Sequence, residues 1–435
     1  MPSAGSTHDS RLTTHDSTQH FVDGLFRRQY AQLVATLTRI FGAHYLDLVE
    51  DVVQDTLVKA LRQWGYGGIP DNPTGWLLRV ARNGALDALR RERTLASKAE
   101  LIAAELSNRF VGPEEAVTAD GWDDQLRDDQ LRLMFGCCHP ALARETQLAL
   151  TLKTLAGFGV PEIARAFLTP EPTIAQRLVR AKRLIRDRGL SFALPEGEAL
   201  AERLDAVLAV VYLIFNEGYE AHAGEQLSRL DLCAEAIRLA SILAEAPVGE
   251  QPRAQALLAL MLLQTARLPG RTDASGDLLT LAEQDRGRWD RRLIGAGLRA
   301  LARAASGAQL STYHLQAEIA ACHALAPSYA ATDWRRILAA YDALIARDPS
   351  PVVLLNRAVA LAEVAGLPSA LAEVERLQHL PTLTNYALTH ATVAEFRRRA
   401  ADHAGAADAY RRALALTANE AQRRFLARQL ASVGA

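Results

Sequence analysis

Apolar residues return at every third or fourth position through almost all of this 435-residue chain, and no convincing stretch alternates. A stripe with that period can be buried only along one face of an amphipathic helix, so the chain must assemble helix on helix. Ala, Leu and Arg dominate and aromatics make up 6%, a balance that favours helices over sheets. The fold expected is therefore all-α. Helical stretches are predicted over roughly 21–41, 46–64, 74–93, 128–136, 142–156, 161–168 and 171–188. The length suffices for two to four domains, each with its own core.

Breaks fall where breakers sit. Residues 65–73 (GYGGIPDNP) form a Gly/Pro-rich loop, residues 94–127 are loosely patterned and acidic, and Leu194–Gly197 punctuates the chain a third time. The organisation expected is a disordered tail at 1–20, a helical domain at 21–95, an acidic linker at 96–127, a second small domain at 128–192 and a long helical domain at 198–435. The formal net charge of −1 hides strong local segregation. Residues 171–188 carry six basic side chains against Glu171 and Asp187, while 111–130 carry seven acidic ones against Arg127.

Several classes of function are disfavoured. Four cysteines, two of them adjacent at Cys137 and Cys138, make no disulfide framework and suggest a reducing cytoplasm. Residues 1–20 lack the apolar centre of a signal peptide. The longest apolar run, Leu204–Phe215, is interrupted by Asp205 and too short to span a bilayer, so it reads as a buried helix. Cys137, Cys138 and His139 stand too close together to wrap one tetrahedral zinc, and core packing is the reading preferred. NEGY (216–219) groups an amide, a carboxylate and a phenol that would suit a pocket, but a helix end capped by Gly218 is the simpler reading. No nucleophile–base pair, phosphate loop or spaced ligand cluster appears. Neither enzyme activity, cofactor nor metal is expected.

Residues 161–188 (PEIARAFLTPEPTIAQRLVRAKRLIRDR) have the layout of a helix-turn-helix. Pro161 suits a first turn and Glu162 complements its positive end. The first helix ends near Leu168, after which Thr169 can cap a second helix with Pro170 at its first position. In that helix Ile174, Leu178, Ala181 and Ile185 share one face. The opposite face presents Thr173, Gln176, Arg180 and Arg183, flanked by Arg177 and Lys182. Gln can pair bidentately with adenine and Arg with guanine in the major groove. The alternative is a solvated basic helix in a bundle.

The last third carries a repeat. Tyr341, Val374 and Tyr410 are spaced by 33 and 36 residues, near the tetratricopeptide period of about 34. Ala370 and Leu377 bracket Val374 as Ala406 and Ala413 bracket Tyr410, and Pro349 stands where such a repeat ends. Small residues there would let stacked helices approach, although any Ala-rich helical array produces similar spacing. Residues 198–330 fit the period poorly.

The segments DLVEDVVQDTLVKALRQW (47–64) and TGWLLRVARNGALDALRRER (74–93), followed by the helix-turn-helix, resemble the extracytoplasmic-function (ECF) group of the sigma-70 family over about 21–190. With CCHPAL (137–142), AQRLVRAKR (175–183) and YLIFNEGY (212–219), the whole chain resembles the subgroup carrying a C-terminal tetratricopeptide-like extension. The resemblance implies two partners, core RNA polymerase and promoter DNA, and no membrane association. Asp51, Gln54 and Asp55 would dock on polymerase. The loop 65–73 would hold a base flipped from the −10 element, with Trp64, Tyr66 and Trp76 as stacking surfaces. Arg79, Arg82, Asn83, Arg90 and Arg91 would line the upstream duplex, with Asp87 orienting an arginine. Thr173, Gln176, Arg177, Arg180, Lys182 and Arg183 would read the −35 element. The acidic connector 111–130 would thread the polymerase cleft, unless it is merely a flexible charged linker. The long C-terminal domain would take a regulatory protein or ligand. The rival reading is a helical scaffold that touches DNA without polymerase. Pro172 and Thr169 depart from the usual pattern and leave the start of the reading helix uncertain by a turn.

Overall fold

The computed structural model describes residues 28–91, 119–167, 169–220, 228–246, 252–306 and 310–434. The expected tail at 1–20 and most of the acidic linker lie outside them. Among the described residues the chain is almost wholly helices and their connections, with an isolated bridge between Thr272 and Leu278. No helix among them is long and apolar enough to cross a membrane. The chain divides into two compact units, Met1–Val210 and Val211–Ala435.

The front unit begins with α1 (28–41), α2 (Leu46–Gly67) and α3 (Pro73–Arg91). Their apolar stripes meet through Leu37, Val49, Val53, Leu77, Ala81 and Leu89, each nearly sealed from solvent. Helix α2 runs one turn beyond the stretch expected from its spacing. It stops where Gly68 adopts φ 79° and its N–H reaches the Trp64 carbonyl, which shortens the loop to 68–72. Asn72 Oδ1 then accepts the Gly75 N–H at 2.8 Å and starts α3. Four helices follow, α4 (Ala119–Cys137), α5 (Arg144–Thr154), α6 (Val160–Ala166) and α7 (Glu171–Asp187). Helix α4 begins earlier than expected and takes in residues assigned to the linker. Cys137 and Cys138 are fully buried core residues, their thiols 3.2 and 3.8 Å from the hydroxyls of Thr154 and Thr151. Burial pushes both thiols up, Cys138 to about 12.

Helix α8 (Gly197–Tyr219) crosses the boundary between the units. Within the front unit its Arg203 stacks over Phe135 and donates to that residue's carbonyl. The expectation that Gly218 caps a helix is corrected here. Gly218 lies inside α8, and a Cβ there would stand 2.7 Å from the Cys233 backbone nitrogen. It is small because α9 (Leu230–Glu245) passes directly over it.

In the rear unit α10 (Pro252–Thr265) is sealed on almost every side by α9, α11 (Arg291–Ala304) and α12 (Thr312–Leu325), which explains the unbroken apolar run Ala256–Leu263. Helix pairs follow: α12 with α13 (Trp334–Ile345), α14 (Pro351–Ala365) with α15 (Leu367–Leu377), and α16 (Ala387–Arg399) with α17 (His403–Leu416), closed by α18 (Glu420–Val433). Tyr341, Val374 and Tyr410 occupy the same position in the second helix of each pair. Ala370, Ala406 and Ala413 are fully buried, as close stacking requires. Arg357 ties three successive helices together, 2.6 Å from Asp342 and 2.8 Å from Glu373.

The end of α12 is plugged by Arg286, which donates to the His323 and Ala326 carbonyls at 2.7 and 2.8 Å. Burial, reinforced by Arg267 and Arg286, lowers the His323 pKa to about 3, so its ring stays neutral against Trp334. A depressed histidine contributes stability above its unfolded value near 6.5, and that contribution drains away as pH falls towards 3. Wild-type protein is expected to lose about 2 kcal/mol from this group between pH 7 and 5. Urea denaturation should show that loss removed in His323→Phe; an unchanged acid dependence in the variant would place the sensitivity elsewhere.

Candidate nucleic-acid interface

Helices α6 and α7 follow closely in the chain, the Thr169 N–H reaching back to the Ala164 carbonyl at 3.0 Å, and pack on each other as a helix-turn-helix. The Glu162 carboxylate accepts the Gly159 N–H at 2.6 Å and fixes the start of α6. The second helix starts one residue later than expected. Pro170 takes the cap position and Glu171 leads the helix, with Pro172 in its first turn. Thr169 does not cap it; its hydroxyl turns back to the Phe167 carbonyl at 3.0 Å. The back of α7 is sealed, Ile174, Leu178, Ala181 and Ile185 being at most 5% exposed. Burying that stripe leaves Gln176, Arg180 and Arg183 exposed on the opposite side, with Thr173 and Arg177 half-buried beside them.

Lys182 sits elsewhere. Its ammonium lies 2.7 Å from Glu50 Oε2 and 2.9 Å from Asp47 Oδ1 on α2, and its side chain is 13% exposed. Burial works against its charge, but the attraction of Glu50 and hydrogen bonds to Glu50 and Asp47 outweigh it and hold its pKa above the usual lysine value. The spacing of Asp47 and Glu50, three residues apart at the edge of the apolar stripe, carried this signal unnoticed. Arg186 lies one turn further along α7 and lines a cleft of about 540 Å³ together with Asp47, Asp51, Asp55, Lys59 and Arg91.

On α2, Asp51, Gln54 and Asp55 are all exposed on one face. Val58 and Leu61, 45% and 55% exposed, continue that face and were not anticipated. Trp64 and Trp76 pack on each other with ring centroids 5.6 Å apart, joining the end of α2 to the start of α3. Trp76 also lines a hollow of about 430 Å³ with Lys59, Arg62, Gln63 and Val80, an aromatic wall beside two cations. Tyr66 lies in the last turn of α2. Arg79, Asn83, Arg90 and Arg91 are exposed along α3, and Arg82 is half-buried. Asp87 engages two of these arginines, its carboxylate 3.4 Å from Arg90 and its carbonyl 3.1 Å from Arg91. The arrangement presents an acidic and apolar face on α2, a basic strip on α3 and a polar exposed face on α7. No cluster suited to a metal occurs among the described residues.

Comparison with known proteins matches residues 25–94 to sigma-70 region 2, residues 132–185 to sigma-70 region 4, and residues 203–305 to a family of unknown function (DUF6596). An uncharacterized protein of Rhizobium meliloti (strain 1021) is 39% identical over 401 residues, 92% of each chain. The ECF RNA polymerase sigma-E factor of Haemophilus influenzae is 27% identical over 141 residues, 32% of this chain and 74% of that one. The chain belongs to the sigma-70 family, in its extracytoplasmic-function group, and carries a C-terminal extension. In this sigma factor the region 2 match spans α1–α3 and the region 4 match spans most of α4–α7, so the Lys182 bridge joins the two matched regions.

Because Glu50 is 3% exposed, removing its partner strands a buried carboxylate. Lys182→Ala is expected to destabilise the protein by about 1–3 kcal/mol. Adding Glu50→Ala should cost less than the two changes do separately, as denaturant titration of the full mutant cycle will show. Strict additivity would mean that the contact is not made in solution. A raised lysine keeps its contribution below about pH 10.4 and loses it only above, so the coupling should be flat from pH 6 to 9.

Proposed function

We propose that this chain binds core RNA polymerase through α2, reads the −35 element with α7, and opens and holds the −10 element with the loop 68–72 and α3. Polymerase performs the chemistry, and this chain chooses where it starts, in the cytoplasm. The observation that carries the reading is the polar face of α7, where Gln176, Arg180 and Arg183 are exposed over a fully sealed apolar back, Arg183 also pairing with Asp187 of its own helix at 3.2 Å. That is the form a major-groove reader takes. The aromatic hollow at Trp76, flanked by Lys59 and Arg62, suits an unstacked base and its phosphate. The exposed carboxylates Asp51 and Asp55, continued by Val58 and Leu61, suit a protein partner that combines charge with apolar contact.

Positions −35 and −10 lie 25 base pairs apart by their numbering, some 85 Å of duplex at about 3.4 Å per pair. Lys182 holds the −35 reader within hydrogen-bond distance of α2. Reading both elements at once therefore requires that this bridge open. The reversal Asp51→Lys with Asp55→Lys is expected to abolish co-purification with core polymerase while leaving helical content intact. Normal co-purification of the double variant would remove α2 as the docking face.

The rear extension is proposed to control activity, with a regulatory protein or ligand as its partner. Truncation after Leu194 also removes the Arg203 contact to Phe135, which belongs to the front unit. A second truncation after Val210 separates the two effects. Both are expected to transcribe markedly less than the full chain from one promoter, and undiminished transcription by the longer truncation would make the extension dispensable.

A further inference from the structure

Among the described residues, the two most exposed large apolar side chains are Ile69, at 72%, and Val179, at 66%. Ile69 stands in the short loop between α2 and α3, and Val179 stands in the middle of α7. Both lie on elements that the proposed function places against DNA. Val179 is the sharper case. Every other large apolar side chain of its helix is buried or half-buried. It is flanked three residues before by Gln176, one after by Arg180 and four after by Arg183, so it sits inside the polar strip and not beside it. A β-branched residue is a poor choice for an exposed helix position, where Ala, Glu, Lys or Gln would favour the helix and solubility. None of the described residues covers it.

We propose that Val179 reads the C5-methyl group of a thymine in the −35 element. This rests on the promoter-reading role of α7 and names a specificity residue within it. In the major groove thymine is set apart by that methyl, which takes apolar contact instead of a hydrogen bond. From Gln176 to Arg183 the helix advances about 10.5 Å, or roughly three base-pair steps. Val179 falls near the midpoint, between groups suited to adenine and to guanine. A thymine beside those bases would place its methyl against the exposed isopropyl group, removing both from water.

The test uses full-length protein with core polymerase on duplexes carrying a −35 element selected from a randomised pool. Each thymine on either strand is replaced in turn by uracil, which differs only by the methyl. Wild type should lose about three- to tenfold in affinity at one position, the effect of burying one methyl group or a little more. Val179→Ala should bind the thymine duplex as weakly as wild type binds the uracil duplex, and should not distinguish the two. Val179→Ile should keep the discrimination. Selective binding by wild type with no uracil effect anywhere would overturn the assignment while leaving α7 as the reader. A methyl effect undiminished in Val179→Ala, or loss of polymerase association in that variant, would overturn it as well. Absence of any sequence selectivity would instead bring down the promoter-reading role on which it rests.

Discussion

Each described helix must bury one stripe against other helices, because the described residues form no sheet to cover it. What each helix then offers to the outside is dictated by which stripe is buried. In α7 the stripe of Ile174, Leu178, Ala181 and Ile185 leaves room on its opposite face only for the groups that face solvent. The same rule sets α2, where Val49, Val53 and Ala60 turn inward and Asp51, Gln54 and Asp55 turn out. In the rear unit the rule is applied repeatedly, with alanines such as Ala370 and Ala406 reducing the spacing between stacked helices. Functional surfaces are thus a by-product of core packing, fixed in direction before any partner arrives.

Much of this was legible from spacing alone. The sealed back and polar front of α7 follow from four apolar residues at helical intervals, and the repeat positions Tyr341, Val374 and Tyr410 recur at one place in successive helix pairs. Details that depend on neighbours distant in sequence were not legible. Gly218 reads as a cap because glycine commonly ends helices, yet its role is to admit the backbone of α9. Lys182 reads as a flank of the DNA-facing surface, whereas its partners Asp47 and Glu50 lie more than a hundred residues earlier. Val179 escaped notice because an apolar residue in a helical pattern is ordinarily assigned to the core, and only its exposure reveals that it is not. The helix start at Glu171 was displaced by a choice between Thr169 and Pro170 that local chemistry leaves open.

Charge gives the front unit its second organising principle. Asp129 on α4 holds Arg39 on α1 at 2.5 Å and Lys182 on α7 holds Glu50 on α2 at 2.7 Å, so two internal bridges join α1 and α2 to α4 and α7. The same residue types that attract phosphate are therefore shared between internal contacts and the exposed faces of α3 and α7. Arg180 and Arg183 are free of region 2 and point outward, while Lys182 is committed to it. An arrangement of this kind makes the position of α7 sensitive to whatever competes for the carboxylates of α2.

The central claim is that this chain confers promoter-specific initiation on a polymerase that lacks it. Run-off transcription with purified core polymerase, on a template pool carrying randomised −35 and −10 elements, addresses it most directly. Transcripts starting from a discrete promoter class only when the full-length chain is present would bear the claim out. A chain that shifts the same DNA but yields no transcript would contradict it and mark a DNA-binding scaffold that acts apart from polymerase.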